Sequence, residues 1–170
     1  MNKYIKYVII IGIILIVMYI VKVVFTPSME TQITNYLISK GFEQSDNNLL
    51  IKEEDENNKM LFSTADYTLM KNFDEEQNGV NYSLNASYYY KDENVLYSYR
   101  ITYNDSYNVY YKGEYDGENF TCEKEFSNAK LGTKDNENIC NLAEHSIKIF
   151  YLDARLLFAN NNYLKYMKNH

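Results

Sequence analysis

Two consecutive segments of the chain alternate between apolar or aromatic side chains and mostly polar ones. In the first segment the apolar positions are Val80, Tyr82, Leu84, Ala86, Tyr88 and Tyr90. In the second they are Val95, Tyr97, Tyr99, Ile101 and Tyr103. A period of two places such residues on one face of a β-strand, and we expect that face to be buried. The chain therefore needs a β-sheet with one covered face.

Short connections between the strands indicate an antiparallel meander. A third strand is predicted at 107–115 and a fourth at 118–126, joined by a two-residue turn at Asp116-Gly117. Parallel strands would need crossover segments of a dozen or more residues, which are absent here. Short apolar runs at 48–52 and 59–63 raise the expected count to four to six strands. Residues 66–73 suit a strand or a helical turn, and we expect a loop at 74–79.

Two helical patterns flank the predicted sheet. Thr26 and Pro27 are typical of a helix start and Gly41 of a helix end, so we expect a helix at 27–40. From about Asn138 the period changes to that of a helix. Its apolar stripe consists of Cys140, Ala143, Ile147, Phe150, Tyr151, Ala154 and Phe158, and we expect Leu142, Ile149, Leu152 and Leu156 to widen it. A helix packed across the inner face of the sheet completes an α+β fold with two layers.

Residues 1–26 predict a transmembrane helix that remains attached as a signal anchor. No charged residue occurs from Tyr7 to Val21, and the run reaches the length of about 20 residues needed for a span if the Lys22 amine extends to the interface. A cleaved signal peptide is the alternative, but no Ala-x-Ala site follows the apolar run. Lys3 and Lys6 favour a cytoplasmic N-terminus. Residues 27–170 would then form a domain outside the cell membrane.

The charge of the chain argues against nucleic acid as a partner. The formal net charge is −6, and residues 1–26 contain three lysines and no acid. The remainder holds 14 of the 17 Lys and Arg residues against all 23 Asp and Glu, which gives −9. A body of this charge repels phosphate groups, so we expect no nucleic-acid binding.

Cys122 and Cys140 are the only cysteines, and His145 follows the second. Zinc usually has four ligands and often a Cys-x-x-Cys pair, whereas these residues supply three. A nucleophilic cysteine needs a base within reach, and a helix turns His145 well away from Cys140. If the domain faced the cytoplasm, the thiols would stay free and buried; outside the cell a disulfide is favoured. The fourth strand and the last helix aim both residues at one core, so we predict a Cys122–Cys140 disulfide.

Little else in the sequence resembles a site. The acidic runs lack the spacing of a calcium-binding loop, and no phosphate-binding or hydrolase motif is present. We therefore predict no cofactor and no metal. Tyr89 and Tyr110 fall on the outer side of their strands. Exposed tyrosines stack on sugars or anchor partner proteins, and these two are the candidate surface for a ligand or partner.

The sequence leads to a functional hypothesis with one alternative. We expect a membrane-anchored, non-enzymatic protein with an extracytoplasmic binding or accessory domain at the cell envelope. Its partner would be an envelope protein or a glycan. The alternative is an envelope enzyme whose carboxylates converge only in the folded chain. A deep pocket lined by Asp or Glu with a raised pKa would favour the enzyme.

Overall fold

The computed structural model of the chain describes residues 3–25, 27–46, 48–77, 79–103, 107–128 and 133–159. Thr26, predicted to cap the second helix, lies outside these ranges. The chain divides into two compact units, Met1–Gln32 and Ile33–His170. The first contains helix α1, Lys3–Phe25, and the start of helix α2, Met29–Ser39.

Helix α1 coincides with the predicted apolar segment. Its described side chains are solvent-exposed, except that Gly12 is half-buried. Among the helices that the described residues form, none combines the length and apolarity of a membrane span. The predicted transmembrane helix is therefore not supported by this structure.

Helix α2 begins and ends as local capping rules require. The Ser28 hydroxyl accepts a hydrogen bond from the Thr31 backbone N–H at 3.2 Å, so Ser28 is the N-cap. At the other end Gly41 has a φ of +88°, and the Phe42 N–H donates to the Leu37 carbonyl at 3.1 Å. This 6→1 bond is a Schellman motif. It confirms Gly41 as the helix terminator and turns Phe42 into the core, where it is 2 % exposed.

Eight antiparallel strands follow one another in a single meander, with each strand beside its sequence neighbours. They are β1 (Glu43–Asp46), β2 (Leu49–Glu53), β3 (Asn58–Ser63), β4 (Thr68–Gln77), β5 (Val80–Tyr89), β6 (Asn94–Tyr103), β7 (Tyr107–Tyr115) and β8 (Glu123–Ser127). The antiparallel sheet and the α+β class are confirmed.

The predicted count of four to six strands is wrong, because two strands lack a clear alternating pattern. Strand β1 has only exposed polar side chains. Strand β4 continues to Gln77 through the acidic residues that we expected to form a loop, and Gln77 pairs with Val80. The long alternating strand β5 needs a partner for its backbone groups over its whole length, and this requirement outweighs the low β-propensity of acids.

Helix α3, Thr133–Ala159, packs on the inner face of the sheet, as predicted. It begins five residues before Asn138. The expected widening of the buried stripe is wrong, because the sheet covers one side of the helix only and leaves Leu142, Ile149, Leu152 and Leu156 exposed. Phe158 is 1 % exposed and lies among three rings, with centroid distances of 5.7 Å to Phe62, 5.9 Å to Tyr88 and 5.3 Å to Tyr90. Tyr151 makes edge contacts with Tyr88 at 5.8 Å and Tyr115 at 5.0 Å. The inward-facing tyrosines are thus mainly core residues.

The β7–β8 hairpin has a longer loop than the sequence suggested. Asp116 and Asn119 bound a four-residue loop, in which the Asp116 carboxylate accepts the backbone N–H groups of Glu118 and Asn119. A hydrogen bond from the Asn119 side-chain amide, followed by these two backbone bonds, lowers the pKa of Asp116 to about 2. Tyr115 consequently pairs with Phe120, and Tyr111 pairs with Lys124. The predicted two-residue loop would have paired Tyr111 with Cys122.

This difference shifts the pairing beside Cys122 by two residues, so it leaves Cys122 on its predicted face. Cys122 still points to the inner side, where α3 begins. Its sulfur lies 2.09 Å from that of Cys140, with the Cα atoms 5.9 Å apart. The predicted cysteine pair is therefore confirmed at disulfide distance.

We expect Gly113→Ala to destabilise this hairpin. A Cβ at Gly113 would overlap the Thr121 carbonyl group and would lie 2.8 Å from Cε1 of Tyr97. Both neighbours are held, because the Tyr97 hydroxyl donates to the Thr121 carbonyl at 2.8 Å. Such overpacking costs about 1–3 kcal/mol, measurable by thermal unfolding of the purified chain. Gly12→Ala is the control, because an added Cβ there would meet no atom within 4 Å other than the backbone of its own helix. Equal stability of the two variants would contradict the close approach of Gly113 to Thr121.

Candidate functional site: the outer face of the sheet

The two faces of the sheet differ in what covers them. The inner face is covered by α3. The C-terminal part of α2 contributes the fully buried Ile33 and Leu37 and contacts α3 through a hydrogen bond from the Tyr36 hydroxyl to the Leu157 carbonyl at 2.7 Å. No described element from residue 33 onward packs on the outer face. The strands place there the alternate, mostly polar positions, for example Asn85, Ser98 and Lys112 in one cross-strand row.

Three large side chains from neighbouring strands form the Tyr110 cluster, which consists of Arg100, Tyr110 and Phe126. Tyr110 on β7 pairs with Arg100 on β6 and with Phe126 on β8. The Arg100 guanidinium carbon lies 5.5 Å from the Tyr110 ring centroid, a cation–π distance. The ring centroids of Tyr110 and Phe126 are 6.0 Å apart, and Phe126 is 52 % exposed. The cluster combines a cation with an apolar surface open to solvent.

An irregularity in β8 brings Phe126 to this face. The pairing shifts between Tyr110 and Tyr111, so that Glu125 is the extra residue in β8. Strict alternation from Cys122 would have put Phe126 on the inner face. A β-bulge reverses the facing of all later residues in its strand.

Hydrogen bonds fix the Arg100 guanidinium in position. Its Nε donates to the Thr102 hydroxyl at 3.2 Å, and Nε and Nη2 donate to the Asn108 side-chain oxygen at 3.3 and 3.1 Å. The Thr102 hydroxyl donates to the same oxygen at 2.8 Å. A side chain ordered before binding loses less entropy on complex formation, so this network preorganises the cluster.

A polar cleft of about 490 Å³ adjoins the cluster, and Arg100 and Thr102 belong to its lining. Its acidic side is formed by Asp74, Glu75 and Glu76, which lie near the C-terminal end of β4. The Ser83 hydroxyl donates to the Asp74 carboxylate. The cleft therefore places negative charge and hydrogen-bonding groups beside the positively charged Arg100.

The structure does not bring Tyr89 and Tyr110 together. Both lie on the outer face and both are half-buried. Tyr89 pairs with Asn94, whereas Tyr110 pairs with Arg100, six positions further along β6. At about 3.3 Å per residue this separates them by roughly 20 Å. Tyr110 belongs to a cluster, while Tyr89 stands at the opposite end of the face.

Burial, not a ligand site, accounts for the raised pKa of tyrosines inside the core. Burial raises the pKa of Tyr88 and of Tyr97, and the negative charges of Glu93 and Glu144, respectively, raise them further. The Tyr111 hydroxyl donates to the Asn136 side-chain oxygen at 2.5 Å, and the Tyr115 hydroxyl to the Gly117 carbonyl at 2.8 Å. These partners satisfy phenolic groups inside a packed interior.

The carboxyl groups and the possible metal ligands bear on the alternative of an enzyme. The pKa of Asp55, like that of Asp116, is lowered, chiefly by a hydrogen bond from the Asn58 amide. A general acid at neutral pH needs the opposite shift. Within the part of the chain that the structure describes, no three His, Cys, Asp or Glu side chains are grouped to hold a metal ion.

The chain has no significant match among protein-family models, curated proteins or solved structures.

Proposed function

We propose that the chain is a single-pass membrane protein whose residues 27–170 form an extracytoplasmic binding domain. In this proposal the Tyr110 cluster binds another protein of the cell envelope. The observation that carries it is the difference between the two faces of the sheet. The inner face is covered by α3, whereas the outer face exposes a preorganised Arg100, a half-buried Tyr110 and an exposed Phe126.

The sequence of α1 supports the anchor. From Tyr7 to Phe25 the only charged residue is Lys22. This stretch of 19 residues is close to the roughly 20 residues that a span needs. Ile13, Leu15 and Val17 are each more than half exposed, and a hydrocarbon environment would remove the cost of hydrating them.

Two independent features support the extracytoplasmic placement of the domain. Lys3 and Lys6 precede the apolar segment, and basic residues are retained on the cytoplasmic side. The paired sulfurs of Cys122 and Cys140 fit an oxidising compartment, because thiols in the cytoplasm are generally kept reduced.

The chemistry of the Tyr110 cluster favours a protein as partner over a glycan. Arg, Tyr and Phe are enriched in the centres of protein interfaces, where a few such residues supply most of the binding energy. The acidic cleft beside Arg100 adds charge of the opposite sign, which helps to select the partner. An enzyme that uses Asp74 and Glu76 is the alternative, and hydrolytic activity of the purified chain would favour it.

Affinity capture from detergent-solubilised membranes tests the proposed partner surface. We expect the wild-type chain to retain a specific envelope protein, and Tyr110→Ser with Phe126→Ser to lose it by at least tenfold, since hot-spot truncations cost about 2 kcal/mol or more each. Tyr89→Ser is the matched control on the same face and should retain the protein. Capture that is equal in both variants, or retention of a glycan alone, would contradict the proposal.

A further inference from the structure

Helix α3 carries a second apolar stripe that the sheet does not cover. Its members, called the outer stripe below, are Leu142, Ile149, Leu152 and Leu156. They are 58 %, 47 %, 56 % and 66 % exposed. At 3.6 residues per turn the stripe lies on the opposite side of α3 from the buried Ala143, Ile147 and Ala154. A helix with two apolar faces has one face available for a second contact.

The spacing of the outer stripe is that of a coiled coil. Leu142, Ile149 and Leu156 are separated by seven residues, which places them at the a positions of a heptad repeat. Leu152 follows Ile149 by three residues and takes the d position. His145 and the exposed Ala159 occupy the preceding and following d positions. This pattern suits a helix of matching period rather than a flat or irregular partner.

We infer that the outer stripe binds a second copy of this chain, with the two α3 helices parallel and in register. The flanking charges select this occupant. Lys148 takes a g position and Asp153 the next e position. In a parallel pair each g residue faces the e′ residue five positions later in the other helix. Lys148 therefore meets Asp153 of the second copy, and symmetry makes the contact twice.

An antiparallel pair would place like charges together. There g positions face g′ positions, so that Lys148 would lie near Arg155 of the second copy. Like charges so close oppose association. The charges at Lys148, Asp153 and Arg155 thus favour the parallel orientation and disfavour the antiparallel one.

Lys148 already has partners in its own chain. Its side chain is 44 % exposed, and its amine pairs with Glu144 and lies 5.7 Å from the ring centroid of Tyr115, which it would leave to reach Asp153 of the second copy. Among the ion pairs of the described residues, none uses Asp153. Lys148 would then lie between two carboxylates. Four apolar side chains are far fewer than the roughly 20–30 residues per partner of a standard interface, so the dimer is weak in dilute solution and favoured when two chains share one membrane.

Disulfide trapping in the full chain tests the inference. Leu152→Cys, at a d position, places two thiols close together across a parallel, in-register dimer. Mild oxidation in phosphatidylcholine vesicles should give at least fivefold more covalent dimer than Asn85→Cys, an exposed position on the outer face of the sheet. Cross-linking of Leu152→Cys at the level of Asn85→Cys, or only to other proteins in native membranes, would overturn the inference.

Charge reversal in the Leu152→Cys background tests the orientation. Lys148→Glu and Asp153→Lys each create repulsion in the parallel pair, and we expect each to reduce the trapped dimer about fivefold. The double variant restores opposite charges and should restore the dimer. Unchanged thermal unfolding of each variant would exclude misfolding as the cause. An increase in trapped dimer with Lys148→Glu would indicate the antiparallel pair and overturn the parallel one.

Discussion

Reduction of the Cys122–Cys140 bond lowers the free energy of unfolding by about 3 kcal/mol. The bond closes a segment with a sequence separation of 18 residues, and removing a cross-link of this span restores that much chain entropy to the unfolded state. The packing of α3 on the sheet remains, because Phe158 and Tyr151 keep their aromatic contacts with the inner face. The expected product is a folded but less stable domain, measured by denaturant unfolding with and without reductant.

A double variant provides the control for this prediction. Cys122→Ala with Cys140→Ala should lose a similar amount of stability in the absence of reductant and should not respond to it. Thiol labelling of the unreduced wild-type chain should detect no free cysteine. Two reactive thiols in the folded, unreduced chain would contradict the bond, as would identical stability of the reduced and unreduced forms.

Phe158→Ala should destabilise the chain by about 3–5 kcal/mol, the usual cost of removing a buried phenylalanine ring. Phe158 is 1 % exposed and contacts Phe62 on β3, Tyr88 on β5 and Tyr90, which directly follows β5. The cavity would open between the helix and the sheet, where rigid rings limit collapse. Thermal unfolding with a circular-dichroism readout measures the loss.

Phe126→Ala is the matched control, since it removes the same ring from an exposed position. Its only described aromatic contact is with Tyr110, so the loss should not exceed about 1 kcal/mol. Equal effects of the two substitutions would contradict the assignment of Phe158 to the core and Phe126 to the surface.

The regular part of the fold was predictable because its signals are local. Strands β5 and β6 follow the period of two, and the stripe from Ala143 to Phe158 follows the helical period. The cysteine pair was predictable for a related reason. Its prediction depended on the faces of a strand and a helix, and a register error of two residues leaves the faces unchanged.

Other features depend on pairing between strands, which a single segment does not encode. Strand β1 has no buried side chain, and β4 extends through acidic residues because β5 pairs with it. Phe126 reaches the outer face only because β8 contains an extra residue opposite Tyr110. Sequence alternation placed Tyr89 and Tyr110 on the outer side, but their separation along the sheet and the neighbours of Tyr110 follow from the register.

The most direct measurement of the central claim is the labelling of a single surface cysteine in intact cells. Asp66→Cys adds one thiol to an exposed turn between β3 and β4, strands that do not contribute to the Tyr110 cluster. A membrane-impermeant maleimide should label it without permeabilisation, while a cysteine introduced at Asn2 should react only after permeabilisation. Labelling of Asp66→Cys that requires permeabilisation would contradict an extracytoplasmic domain and the binding function proposed for it.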